Sequence, residues 1–246
     1  MHNSFEEYLF DLRQTDMDSD VVAFFDLDRT LISGYSITVI MIELIRSGQM
    51  TVRDFITNAV GFLGYGLGTR DYNELLEIIL LRMRGRKDIE LMDIGRRAFH
   101  RKLEGMIYEQ ARILVDTHRS LGHKLVMLTS ATRYQALPIA EALSIPDIKC
   151  TELEIQNGVL TGKYLPCFGV GKLDAASMYL EQYDERRVSG PLLEKTYFYT
   201  DSEDDLDLLE CCEHPVATNP KASLAAKARK RGWPHIEFER IPNIAA

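Results

Sequence analysis

The chain has 246 residues, 46% of them hydrophobic, enough for one large domain or a core carrying one insertion. Its 37 acidic against 29 basic residues give a net charge of −8, which excludes a general polyanion-coating or nucleic-acid-binding protein. A small phosphorylated metabolite remains open as a partner, because a metal and a few local cations can overcome the global field.

The acidic start, MHNSFEEYLFDLRQTDMDSD, lacks a basic n-region ahead of an apolar core, so no secretory signal is read there. No run of about 18 apolar residues is present for a membrane span. The four cysteines (Cys150, Cys167, Cys211, Cys212) lack metal or disulfide spacing and read as buried thiols, so a cytoplasmic protein is expected. Residues 1–20 stand as an N-terminal extension. Within them Phe5, Tyr8, Leu9 and Leu12 predict a short amphipathic helix over 4–13, able to cap the core or meet a partner.

Val21–Phe25 is an apolar run that reads as a buried strand, and Asp26 and Asp28 follow it one residue apart. Strand residues alternate sides, so both carboxylates can share a pocket at the strand's end. Two acids in a dry pocket repel unless a positive charge sits between them, and hard oxygen ligands suit a divalent cation of the magnesium type. The chemistry suggested is nucleophilic attack by one carboxylate with proton transfer by the other.

Residues 36–105 read as helical. Ile37, Ile40, Met41, Leu44 and Ile45 form one apolar stripe, Leu75–Leu81 a buried helix, and Ile89, Leu91, Met92, Ile94 and Phe99 a third. A glycine-rich apolar bend spans Gly61–Gly68, and Arg82, Arg84, Arg86 and Lys87 form a basic run.

From residue 106 helices and strands alternate. Helices are predicted near 108–121, 134–143, 174–183 and 204–210, with a further one after Asn219-Pro220. Strands are predicted near 124–129, 196–199 and 216–217. Asn157-Gly158 between two β-rich runs marks a hairpin. The alternation implies a parallel α/β sheet, whose ligands bind beyond the carboxyl ends of strands.

Three later sites fall at such strand ends. Thr129-Ser130-Ala131-Thr132 offers hydroxyls and turn amides to an anion, Gly171-Lys172 opens a helix with a cation, and Asp201, Asp204 and Asp205 add carboxylates. In this order, Asp26-Leu27-Asp28-Arg29-Thr30, Ser130, Lys172 and Asp201…Asp205 resemble the haloacid dehalogenase superfamily, specifically its phosphoserine-phosphatase-like subfamily IB. The resemblance covers about residues 20 to 238.

It implies a Rossmann-like doubly wound parallel sheet core (21–35 and 106–246) with an inserted helical cap domain (36–105). It also implies a Mg²⁺-dependent phosphatase acting through an aspartyl-phosphate. In that scheme Asp26 is the nucleophile and Asp28 the general acid and base. Asp26, the backbone carbonyl of Asp28 and Asp201 hold the metal, supported by Asp205. Thr30, Ser130, Ala131 and Lys172 hold the loop and the phosphoryl oxygens.

The position seven residues after Asp28, where the family's phosphoserine phosphatases carry an amine-reading glutamate, is Tyr35. Tyr35 is thus a substrate-facing candidate for a less charged or bulkier group. Phosphoserine itself, histidinol phosphate, another amino-alcohol phosphate and a lipid-derived monoester all stay open. Asp28 argues against a dehalogenase, which needs no proton donor. A metal-binding pseudo-phosphatase acting as an interaction protein is the non-enzymatic alternative.

Overall fold

The computed structural model describes residues 4–51, 53, 83–183, 190 and 192–239. The Gly61–Gly68 bend, the Leu75–Leu81 helix and Arg82 lie outside the described residues.

Helix α1 (Phe5–Arg13) begins at Ser4, whose Oγ accepts the Glu7 N–H at 3.2 Å, a capping bond that satisfies one orphan donor of the first turn. Its stripe of Phe5, Tyr8, Leu9 and Leu12 is buried in the main core, so the helix caps that core. Strand β1 (Val22–Phe25) follows and is buried throughout.

Helices α2 (Ser36–Arg46) and α3 (Asp88–Ala98) come next, then a π-helical turn over Phe99–Leu103. The remaining order is α4 (Glu109–Ser120), β2 (Lys124–Thr132), α5 (Arg133–Leu143), β3 (Asp147–Gln156), β4 (Val159–Leu165), α6 (Val170–Glu181) and β5 (Leu193–Thr200). It closes with α7 (Leu206–Cys211), β6 (Cys212–Thr218), α8 (Ala222–Arg231) and β7 (His235–Ile236).

The seven strands form one sheet in the order β4-β3-β2-β1-β5-β6-β7. All neighbours are parallel except the β3–β4 hairpin. At the hairpin turn Asn157 (φ 52°) and Gly158 (φ 77°) are both left-handed, which is what a two-residue turn between twisted strands requires.

Alternation along β1 divides the core. Ala23 and Phe25 face one layer with α1, α4 and α5, while Val22 and Phe24 face the other with α6, α7 and α8. The sheet is therefore covered on both faces, the doubly wound α/β arrangement. Strand β2 runs to Thr132, past the predicted end near 129, because a register shift between Leu128 and Thr132 lets it go on pairing with β3.

The basic run has a local use: the Arg86 guanidinium donates to the Gln49 carbonyl at 2.7 Å and the Gln49 side chain at 3.3 Å, bracing the end of α2. The histidines at 118 and 123 are buried and pack on one another. His118 is wholly buried, its Nδ1 lying 2.7 Å from His123 Nδ1 and its Nε2 2.7 Å from the Tyr199 hydroxyl. Tyr199 in turn meets the Tyr8 hydroxyl at 2.7 Å, tying α1 to the centre of the sheet.

Candidate active site

The centre of the sheet brings the predicted acids to one place. Asp26 is the first residue past β1, and its N–H continues the ladder to the Tyr199 carbonyl at 2.9 Å. The chain then turns tightly: the N–H groups of Thr30, Leu31 and Ile32 all converge on the Leu27 carbonyl at 2.9–3.3 Å. Arg29 adopts φ 62° within that turn. The turn sets the Thr30 hydroxyl 3.5 Å from Asp26 Oδ2. It also points Asp28 at the start of α2, where Oδ1 accepts the Ser36 N–H at 2.7 Å.

Lys172 arrives from the opposite layer. Helix α6 starts after Gly169, and the next glycine, Gly171, lies so near the chain that a Cβ there would sit 2.6 Å from the Pro166 carbonyl oxygen. That close approach drives Lys172 into the sheet's carboxyl end, only 3% exposed. Its Nζ donates to Asp26 Oδ1 at 2.7 Å and to Asp205 Oδ2 at 2.9 Å. Asp205 Oδ2 also accepts the Thr200 hydroxyl at 2.5 Å. Two charge-assisted bonds in a dry site fix the ammonium far more firmly than a surface pair would.

Asp201 is buried, and its Oδ2 accepts Arg29 Nε at 2.6 Å. Asp204 turns away to Ser202, whose hydroxyl donates to it at 2.8 Å. Thr129 is fully buried, its Oγ1 accepting the Ala131 N–H at 3.1 Å. The Ala131 amide is thus already committed. Ser130 is partly exposed at this strand end, and its main-chain carbonyl accepts the Thr151 hydroxyl at 2.8 Å. Ser130 and Asp28 each lie three residues past the matched pair Met127–Phe25 on neighbouring parallel strands. Tyr35, 48% exposed, stands just before α2.

Burial dominates the electrostatics. It raises Asp26, opposed by the Lys172 ammonium and reinforced by Asp205 and Asp201, so that its carboxyl is pushed up to about 7. Asp28 is pushed up to about 6 by burial, against the hydrogen bond from the Ser36 N–H. Asp201 is also raised by burial, against the pull of Lys221 and Arg29. Lys172 stays firmly charged: burial disfavours its ammonium, but Asp205 and Asp26 more than reverse that. The four carboxylates of Asp26, Asp28, Asp201 and Asp205 face the cations Lys172 and Arg29, an anionic excess that a dication would balance.

The sequence reading did not single out Arg29, Ser36, Thr200 or Gln135. Each looks like an ordinary loop or helix-start residue until the fold sets it beside an acid.

Comparison with known proteins agrees with this geometry. The family model described as haloacid dehalogenase-like hydrolase matches residues 23–210. A histidinol-phosphatase of Neisseria meningitidis is 30% identical over 222 residues, covering 89% of this chain and 99% of its own. A phosphoserine phosphatase of Mycobacterium tuberculosis is 29% identical, covering 95% of this chain and 76% of its own. A crystal structure of a protein with unknown function from Bordetella pertussis superimposes with a TM-score of 0.78 at 26% identity, covering 87% of this chain and 97% of that one. The chain belongs to the haloacid dehalogenase-like hydrolases, among which it is phosphoserine-phosphatase-like.

Proposed function

We propose that this hydrolase is a magnesium-dependent phosphomonoesterase that works through an aspartyl-phosphate on Asp26. The observation that carries the reading is the buried Lys172 ammonium 2.7 Å from Asp26 Oδ1, with Asp205 anchoring its other side. A cation so held offsets part of the burial that disfavours the Asp26 carboxylate, and it can also attract the anionic phosphoryl group toward that carboxylate.

In the proposed cycle an Asp26 oxygen attacks phosphorus, the bond from phosphorus to the ester oxygen breaks, and Asp28 gives its proton to the departing alcohol. Water then attacks the aspartyl-phosphate, passing its proton back to Asp28 and releasing inorganic phosphate. Asp28, raised to about 6, is suited to alternate between the two states near neutral pH. Ser130 and Lys172 would receive phosphoryl oxygens, and Thr30 would steady the acidic turn. Aligned attack and charge stabilisation of this kind are worth on the order of 10 kcal/mol.

The donors available to a cation are hard oxygens: the Asp26 and Asp201 carboxylates and the Asp28 main-chain carbonyl, with Asp205 behind them. The anionic excess and the upward displacement of Asp26, Asp28 and Asp201 fit a dication here. When bound, such an ion would neutralise charge on the phosphoryl oxygens.

For the substrate we propose a small organic phosphomonoester, with amino-alcohol phosphates such as histidinol phosphate tested first. Tyr35 in place of an acid, and the likeness to the Neisseria protein, support that choice. Residues 36–105 would act as the cap over the site. The four free thiols suit a cytoplasmic location.

Release of inorganic phosphate from a panel of phosphomonoesters, with and without EDTA, tests the reading. Turnover that EDTA abolishes and magnesium restores is expected. No turnover of any ester, with Asp26→Asn indistinguishable from the parent, would leave only a binding role.

A further inference from the structure

The ladder between β2 and β3 is broken where β2 reaches the site. Leu128 pairs with Lys149 and Thr132 with Thr151, so four steps along β2 match two along β3. A side chain bridges the interruption. Thr151 is wholly buried, and its hydroxyl donates to the Ser130 carbonyl at 2.8 Å and accepts the Cys167 N–H at 3.2 Å. A main-chain N–H can only donate and a carbonyl only accept, so both bonds have a fixed direction and use the hydroxyl's one hydrogen.

The two ends of this bridge lead to the two side chains proposed to receive phosphoryl oxygens. Ser130 is one of them. Cys167 is buried in the short loop that enters α6, and Lys172 follows within five residues. In that loop the Pro166 carbonyl is the surface against which Gly171 packs. The Phe168 carbonyl accepts the Gly171 N–H at 2.9 Å, and the Gly169 carbonyl accepts the Lys172 N–H at 3.0 Å. A shift at Cys167 therefore passes to Lys172 through bonded main chain.

We propose that Thr151 is a positioning residue whose hydroxyl sets the spacing between Ser130 and Lys172, and so the width of the phosphoryl cradle. The inference deepens the phosphomonoesterase reading and rests on it. Thr151 acts through the main chain on both sides of the cradle, tying the end of β2 to the start of α6. Valine in its place would fill the same space but leave a buried N–H and a buried carbonyl unpaired, and the two segments would move to find other partners.

The test separates the hydroxyl from the methyl. Thr151→Val keeps the shape and loses the bridge, whereas Thr151→Ser keeps the bridge and loses a packed methyl. Thr151→Ala, set against Thr151→Ser, isolates the hydroxyl a second time. Thr196→Val is the control: Thr196 is equally buried, and its hydroxyl likewise joins a carbonyl, of Leu193, to an N–H, of Glu213. Thr196 pairs with Val22 at the start of β1, far along the sheet from the acids. Each protein is measured for kcat/KM on p-nitrophenyl phosphate, for inhibition by inorganic phosphate, and for its urea midpoint.

We expect Thr151→Val and Thr151→Ala to lose about tenfold or more in kcat/KM and to bind inorganic phosphate several-fold more weakly. Thr151→Ser should stay near the parent in both despite a lower midpoint, and Thr196→Val should lose midpoint alone. Parental kinetics and phosphate inhibition in Thr151→Val would overturn the proposal. So would equal kinetic losses in Thr151→Ser and Thr151→Val, or in Thr196→Val and Thr151→Val. A parent that neither binds inorganic phosphate nor hydrolyses any phosphomonoester would defeat the phosphomonoesterase reading, and this inference with it.

Discussion

Arg29 Nε lies 2.6 Å from Asp201 Oδ2, so a guanidinium from the acidic turn occupies a carboxylate that the proposed metal set needs. The side chain of Asp201 is 5% exposed and that of Arg29 37%, so the pair is only partly screened. The Arg29 carbonyl is meanwhile pinned by the Asn219 side chain at 3.0 Å, which fixes the root of the side chain. A cation taken up by Asp201 Oδ2 would therefore compete with the arginine for that oxygen. Arg29→Ala should tighten magnesium binding several-fold, read by calorimetric titration of the metal-free protein. Unchanged binding would show that the arginine does not compete with the cation, and weaker binding that it helps to build the cation site.

Lys172 is the positive centre between two buried carboxylates. Removing one partner of such a set leaves uncompensated charge in a dry site, at a cost of about 3–5 kcal/mol. Lys172→Met should therefore lower the urea midpoint of unfolding as well as abolish phosphate release. Loss of activity with an unchanged midpoint would mean that water or counterions reach Asp26 and Asp205 freely.

The acidic turn and the order of the later strand ends were legible because they follow from alternation along buried strands and from residue type alone. Asp26, Lys172, Asp201 and Asp205 meet as that reading expected. The hairpin at Asn157-Gly158 was legible because its turn demands residues tolerant of positive φ. Other features depend on what packs from afar. Ser36 looks like any residue opening a helix, and its contacts appear only when the fold sets Asp28 and Gln135 beside it. Arg29 fills a variable place in its motif until Asp201 is folded beside it. Strand β7, with two residues, is too short to carry a period, and the end of β2 was set by a register shift that no local pattern announces.

Gly171 allows α6 to approach the chain at Pro166, where a Cβ would lie 2.6 Å from the carbonyl oxygen. That contact is with backbone and has no flexible end to yield. Gly171→Ala should push the start of α6, and Lys172 with it, by several tenths of an ångström. Displacements approaching 1 Å at a reacting centre cost roughly 10²-fold. A fall in kcat of about tenfold or more is expected, with a far smaller change in thermal midpoint. Full activity in Gly171→Ala would show that Lys172 tolerates the shift.

His118 gives the fold a pH dependence whose sign can be worked out. Burial, then the neighbouring imidazoles of His123 and His214, hold His118 well below its ordinary value of 6.5. The unfolded chain therefore binds this proton more readily than the native one. Its contribution is fully present above about pH 6.5 and is lost as pH falls through the lowered native value, with a limiting slope of about 1.4 kcal/mol per pH unit. Asp26 and Asp28 act in the opposite sense, since raised native values make the folded state take up protons first and gain stability as pH falls from about 7 and 6. The parent's curve sums these effects, so the informative quantity is a difference. His118→Gln retains a hydrogen-bonding side chain toward Tyr199 but cannot titrate. Between pH 7.5 and 5 the parent should lose more stability than His118→Gln, the gap widening below pH 6.5. Parallel curves for the two proteins would mean that His118 takes up its proton as readily in the folded chain as in the unfolded one, the imidazolium finding a partner inside the core.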